Sequence, residues 1–271
     1  NGVAIEVTDT PNSQFQLTGM IEGKFDLMMT AIDNIVAYRE GQGAVPIDGS
    51  DLVAVMGGDQ GFLRLVSVPE VKTIADLRGR TLSVDALTTG YAFVLLEIMA
   101  RNGMSHDRDY KTERAGGGME RFNALMDKKQ AATLLISPLD LMAMERGFTR
   151  LADASQALGR YQGLVAGVRR SWAAKNPGVV TGYIKAYVEA VEWTVDPRNR
   201  AEAIAIFQKY VPKASRATAE STYALLTHPT EGFQRKAAID LKGVQTALDL
   251  RAKYAKPQRT LGAPTSYYTP E

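Results

Sequence analysis

Leu82-Ser-Val-Asp-Ala-Leu-Thr-Thr-Gly-Tyr-Ala-Phe-Val-Leu-Leu96 takes a short apolar strand through small hydroxyl residues directly into a helix. Such a turn holds out backbone N–H groups and hydroxyls at the end of the strand. The first four N–H groups of a helix have no partner within it, and the aligned peptide dipoles place about half a positive charge there. Thr88, Thr89, Gly90 and Tyr91 therefore form a candidate binding turn. The competing reading is that Thr88 or Thr89 only caps the helix.

The same pattern recurs on both sides. Val3–Val7, Phe25–Met29, Asp51–Met56, Thr81–Val84, Tyr110–Glu113, Ala131–Ile136 and Leu164–Val168 read as strands, with helical stretches over 14–22, 30–38, 91–101, 119–127 and 138–146 between them. Strands and helices alternating at this spacing predict an α/β fold with a largely parallel sheet. From Ser171 onward the chain reads as almost all helix. Asn176-Pro177 opens one, Asn as cap and Pro where its missing N–H costs nothing, and Val180, Tyr183, Ile184, Tyr187, Val188 and Val191 form its apolar stripe. Helices are also expected over 200–210, 215–226 and 239–254, while the tail after Pro257 lacks periodicity and reads as a loose strap. Trp172 and Trp193 are assigned to packing.

Composition narrows the function. The 271 residues carry 32 Lys and Arg against 30 Asp and Glu, a net charge of +2, with no basic cluster interleaved with aromatics. Nucleic acid is therefore not an expected partner. With no cysteine, disulfides, thiolate metal sites and thiol nucleophiles are excluded together, and two histidines far apart, His106 and His228, give no metal cluster. No cofactor is expected. No apolar run reaches the roughly eighteen residues of a membrane span.

In open α/β sheets, ligands bind beyond the carboxyl ends of the strands, where helix N-termini converge. Five turns carry suitable groups. Thr10-Pro-Asn-Ser13 offers Asn12 and Ser13, and Thr30-Ala-Ile-Asp-Asn34 offers Thr30, Asp33 and Asn34. Gly57-Gly-Asp-Gln-Gly61 carries Asp59 on flexible backbone, the turn after Val84 carries Asp85 with Thr88 to Tyr91, and Ala115-Gly-Gly-Gly118 brings Gly117 and Gly118 to a further helix start. The glycine loop lacks the Lys-Ser/Thr ending of a P-loop and the Rossmann glycine spacing, so nucleotide binding is disfavoured. Asp33, Asp59 and Asp85 could act as paired carboxylates in acid–base catalysis, although capping and hinge roles explain them equally well.

Glu22-Gly-Lys-Phe-Asp26 followed by Thr30-Ala-Ile-Asp-Asn34, then Ile74-Ala-Asp-Leu-Arg-Gly-Arg-Thr-Leu-Ser-Val84, Thr89-Gly-Tyr-Ala92 and the Asn176-Pro177 helix, resemble ABC-transporter solute-binding proteins. The resemblance covers roughly Val3 to Tyr254 and is nearest to the sulfonate, nitrate, taurine and thiamine-precursor group of the type II periplasmic binding fold. It implies two α/β lobes with mostly parallel mixed sheets, residues 1–60 and 165–271 forming one and 61–164 the other, joined by crossings near 57–66 and 159–168. It further implies a small-molecule ligand in the interlobe cleft, lobe closure, a monomer, and an ABC permease as partner outside the cytoplasm, periplasmic or membrane-anchored. The ligand could be a sulfonate, carboxylate or aromatic acid, while the three acids instead invite an amine or a heterocycle. Family members open with a strand and a helix before the segment matching Val3, so a further βα unit is expected upstream. The alternative is an enzyme of the same fold acting on a pyrimidine or sulfur compound, although those enzymes rely on cysteine.

Overall fold

The computed structural model describes residues 2–269 and sorts the strands into two sheets. α1 (Ser13–Ile21), β1 (Leu27–Ala31), α2 (Ile32–Arg39) and β2 (Leu52–Gly57) begin the first. The chain then crosses to the second sheet. There it lays down β3 (Leu63–Ser67), β4 (Thr81–Val84), α3 (Gly90–Arg101), β5 (Lys111–Arg114), α4 (Gly118–Met126), β6 (Ala132–Ile136), α5 (Leu139–Met144) and β7 (Thr149–Asp153). Past α6 (Ala154–Leu158) it returns as β8 (Leu164–Arg169), followed by α7 (Arg170–Lys175), α8 (Pro177–Val195), α9 (Arg200–Tyr210), α10 (Arg216–Leu226) and α11 (Leu241–Tyr254). Strand order is β1-β8-β2 in one sheet and β5-β4-β6-β3-β7 in the other, giving two α/β lobes.

The expected parallel character holds only around β4, which pairs parallel with β5 and β6. β8 runs antiparallel to both β1 and β2, and β3 antiparallel to both β6 and β7. The reason is topological. The strands next to the crossings leave one lobe and come back to it, so each meets its neighbours in the opposite direction. β3 and β7 flank those crossings; β3 overlaps the segment expected as a crossing near 57–66, and β7 was not predicted.

Val3–Val7 is not a strand. The segment is extended without ladder partners, and Ile5 and Val7 are 57% and 82% exposed. Alternating β-branched residues favour a strand only where a neighbour completes the hydrogen bonding. The tail also departs from expectation, being tied down where a loose strap was predicted. Tyr267 is fully buried, its hydroxyl donates to Glu40 at 2.7 Å, and the Thr269 N–H donates to the Ala54 carbonyl at 2.9 Å beside β2. Burying an aromatic side chain contributes about 1.5–3 kcal/mol, enough to hold an aperiodic segment. Asn176 does precede α8, but its side chain donates to the Trp172 carbonyl and caps nothing.

Each lobe has a continuous core. Every residue of β2 and β3 is buried, and α3 covers the second sheet with Ala92, Phe93, Val94, Leu95, Ile98 and Met99. The crossings lie side by side: the Gly58 N–H donates to the Leu164 carbonyl at 2.8 Å and the Gly163 N–H to the Asp59 carbonyl at 3.0 Å. Gly163 is required there, because a Cβ on it would stand 2.2 Å from the Gly61 nitrogen. Gly61 itself has φ +90°, where only glycine is comfortable.

Candidate functional site

The expected turns converge between the lobes, and several touch each other directly. At the start of α1, the side-chain oxygen of Asn12 accepts the Phe15 N–H at 2.8 Å, the cap its residue type favours. The Ser13 N–H donates across the cleft to Asp85 Oδ2 at 3.1 Å. Close by, the Gly117 N–H donates to the Pro11 carbonyl at 2.9 Å, and Arg114 donates to Gln14 at 3.1 Å. An N-terminal helix amide of each lobe thus bonds the other lobe.

A second bridge lies deeper. Arg251 of α11 donates to both carboxylate oxygens of Asp33, at 2.7 and 2.5 Å, and its Nη2 also reaches the Thr88 carbonyl at 2.8 Å. Gly90 fits against this pair, since a Cβ there would lie 2.5 Å from Asp33 Cβ. Asp33 is therefore withdrawn from ligand contact: it is buried and its oxygens already have a cation. Thr89 is withdrawn too. Its hydroxyl donates to the Ala86 carbonyl at 2.8 Å and accepts from the Ala92 N–H at 3.4 Å, so the capping alternative describes it. Thr30 and Asn34 bond one another at 2.9 Å on their own lobe.

Of the remaining candidates, Thr88, Tyr91, Asp85, Gly118 and Asn34 are half-buried, and Asp59, on the first crossing, is buried. Asp85 Oδ1 is buried without a hydrogen-bond partner. Asp59 Oδ1 accepts the Gly61 N–H at 2.6 Å, and burial pushes its carboxyl up to about 6. Tyr91 stands over the crossing, its hydroxyl 3.4 Å from the position a Gly61 Cβ would take. Burial raises its pKa, and the charge of Asp59 raises it further.

The chain contributes groups here that periodicity could not reveal. Arg121 of α4 is buried, donating to the Gly116 carbonyl at 2.8 Å and the Leu134 carbonyl at 3.3 Å, with burial lowering its pKa and Asp85 opposing that. Tyr161 and Tyr187 bring buried hydroxyls that have no partner. Tyr187 reads in the sequence as one member of the α8 stripe; in the fold, burial raises its pKa and the charge of Asp59 raises it further. Two surface pockets, of about 370 and 380 Å3, have linings that include, in one, Asn12, Gln14, Phe15, Lys24 and Arg114 and, in the other, Val55, Ile184, Lys236 and Tyr268. Among the described residues no His, Cys, Asp and Glu cluster could hold a metal ion.

A family model described as NMT1/THI5 like matches residues 1–201. The chain belongs to the NMT1/THI5 like family. Solved structures extend the likeness of this family member to fold. The alkanesulfonate-binding protein SsuA from Xanthomonas axonopodis pv. citri, bound to MOPS, superposes with a TM-score of 0.75 at 18% identity, over 96% of this chain and 86% of that one. The periplasmic aliphatic sulphonate binding protein SsuA from Escherichia coli gives 0.67 at 19% identity over 96% and 80%. The periplasmic nitrate-binding protein NrtA from Synechocystis PCC 6803 gives 0.75 at 12% identity over 90% and 72%. No curated protein matches in sequence. This NMT1/THI5 like chain therefore has the two-lobed periplasmic binding protein fold.

Proposed function

We propose that this NMT1/THI5 like protein is a solute-binding receptor that captures a small polar organic molecule between its lobes, closes on it, and presents it to the membrane permease of an ABC importer. The observation that carries this reading is the set of lobe-to-lobe hydrogen bonds at helix N-termini, Ser13 to Asp85 and Gly117 to Pro11, which mark a closing face with functional groups on both sides. Binding by hinge closure needs few connections between rigid bodies, and two short crossings supply them. In this reading residues 1–60 and 165–271 move against 61–164. α11 straddles both, however, through Arg251 and through Lys253 and Tyr254, each 2.7 Å from Glu97 of α3.

The receptor works outside the cytoplasm, in the periplasm or anchored at the membrane surface, as a monomer. Among the described residues no helix is long and apolar enough to cross a membrane. The ligand contacts are Thr88, Tyr91, Asp85, Gly118 and Asn34, with Asp59 beneath. Small-angle scattering with and without a bound solute tests the reading: a smaller radius of gyration on binding supports it, and an unchanged radius at saturation opposes it.

A further inference from the structure

Three buried carboxylates are paired with cations: Asp33 has Arg251, Glu97 has Lys253 and Arg101, and Asp109 has Arg78 and Arg108. Asp140 makes no ion pair among the described residues, but the charges of Arg64 and Arg150 still act on it. Asp59 differs. It is 6% exposed, and its neighbours are backbone N–H groups and tyrosines, with no basic side chain against it among the described residues. A buried carboxylate without a counter-charge is among the costliest arrangements in a folded chain. It persists where something else supplies the charge.

The surroundings fit a positive guest. Tyr91 from one lobe and Tyr187 from the other both lie in the field of Asp59. Tyr187 Oη has no partner, and neither has Tyr161 Oη, which belongs to a 2% exposed residue close to Tyr91 and Asp33. Tyrosine rings attract cations through their faces, and their hydroxyls accept from N–H donors. Four amides at the helix starts are already in use, the Ser13 N–H on Asp85, the Gly117 N–H on Pro11, the Phe15 N–H on Asn12 and the Ala92 N–H on Thr89, which leaves fewer of them to an anion. The other charges nearby offset one another, Arg251 with Asp33 and Arg121 facing Asp85. Asp59 is left as the unmatched charge.

We infer that the interlobe site takes a protonated amine or amidine, its cationic head on Asp59 and its body between Tyr91 and Tyr187. The inference rests on the receptor reading and narrows its ligand class away from the acids that the sequence also allowed. One consequence is pH dependence of capture. Protonating Asp59 removes the counter-charge, so amine affinity falls by about tenfold between pH 7.5 and pH 5 for a carboxyl titrating near 6.

The test is a thermal-shift and calorimetric screen of the whole chain at both pH values, with benzylamine, agmatine and benzamidine against benzoate, benzenesulfonate and nitrate. The expected result is binding by at least one cation, weaker at pH 5, with Asp59→Asn reducing its affinity tenfold or more while the unliganded melting temperature is kept or raised. Should Asp59→Asn not fold, Tyr187→Leu reads the same contact through a comparable loss of cation affinity. Binding of the anions alone, with compaction in scattering, overturns the ligand class and leaves the receptor standing. Binding of neither class overturns both, and wild-type cation affinity in Asp59→Asn removes Asp59 from the site.

Discussion

Arg251 holds both oxygens of Asp33 and, from the same guanidinium, the Thr88 carbonyl of the opposite lobe. The pair is wholly buried, and Gln42 occupies a further nitrogen at 3.2 Å. Its planar, five-donor head lets one side chain join α2, α11 and the turn before α3. Removing one partner of such a pair leaves an unpaired buried charge, which costs about 3–5 kcal/mol. Arg251→Met is accordingly expected to lower unfolding free energy by that amount in urea titrations, and adding Asp33→Asn should return part of it. Equal stability of Arg251→Met and wild type would show that the pair is dispensable.

Thr89 is a cap, so its substitution reads as stability before affinity. Thr89→Ala should cost about 1 kcal/mol, while Thr89→Ser, which keeps the hydroxyl, should stay near wild type. Denaturant midpoints of the two variants check this.

Asp59 makes the opposite of the usual carboxylate contribution to pH stability. Its folded value of about 6 lies above the ordinary 3.8, so the folded protein binds the proton more tightly between pH 4 and 6. Stability from this group therefore falls as pH rises through that window, by about 3 kcal/mol in all. Asp59→Asn should remove the slope, seen as a wild-type minus variant difference that grows from pH 4 to pH 6 and is flat above. A difference that does not change with pH would contradict the burial of this charge.

The crossings tolerate no side chain at Gly163. Gly163→Ala must push the Gly61 backbone away, and overpacking of this kind costs about 1–3 kcal/mol. Gly178→Ala serves as its opposite, because nothing lies within 4 Å of a Cβ there and α8 gains about 0.5–1 kcal/mol of helix propensity. Melting temperatures should move in opposite directions.

How far the sequence carries can be seen at single residues. The hydroxyl turn at Thr88–Thr89 is local chemistry, so it was readable, as were the helices with a clean apolar stripe. Register with a distant strand is not local. Val3–Val7 has the composition of a strand and lacks a partner, whereas Thr149–Asp153 is a strand because β3 lies beside it. The candidate site divides the same way. Asp59, Asp85 and Tyr91 announce themselves by residue type in a turn, but Asp33 and Arg251 are 218 positions apart, and no spacing reveals that one neutralises the other. Tyr161, Tyr187 and Arg121 carry no signal beyond an apolar or helical pattern.

Closure of two lobes around a solute shortens the distance between them, and a sequence of 271 residues without cysteine allows that distance to be measured cleanly. Spin labels on cysteines introduced at Lys24 and Lys111, both exposed and on opposite lobes, report the interlobe distance by pulsed electron resonance. With the solute that most raises the melting temperature, the distance distribution should shift to shorter values and narrow. An unchanged distribution at saturating solute would contradict a receptor that works by closure.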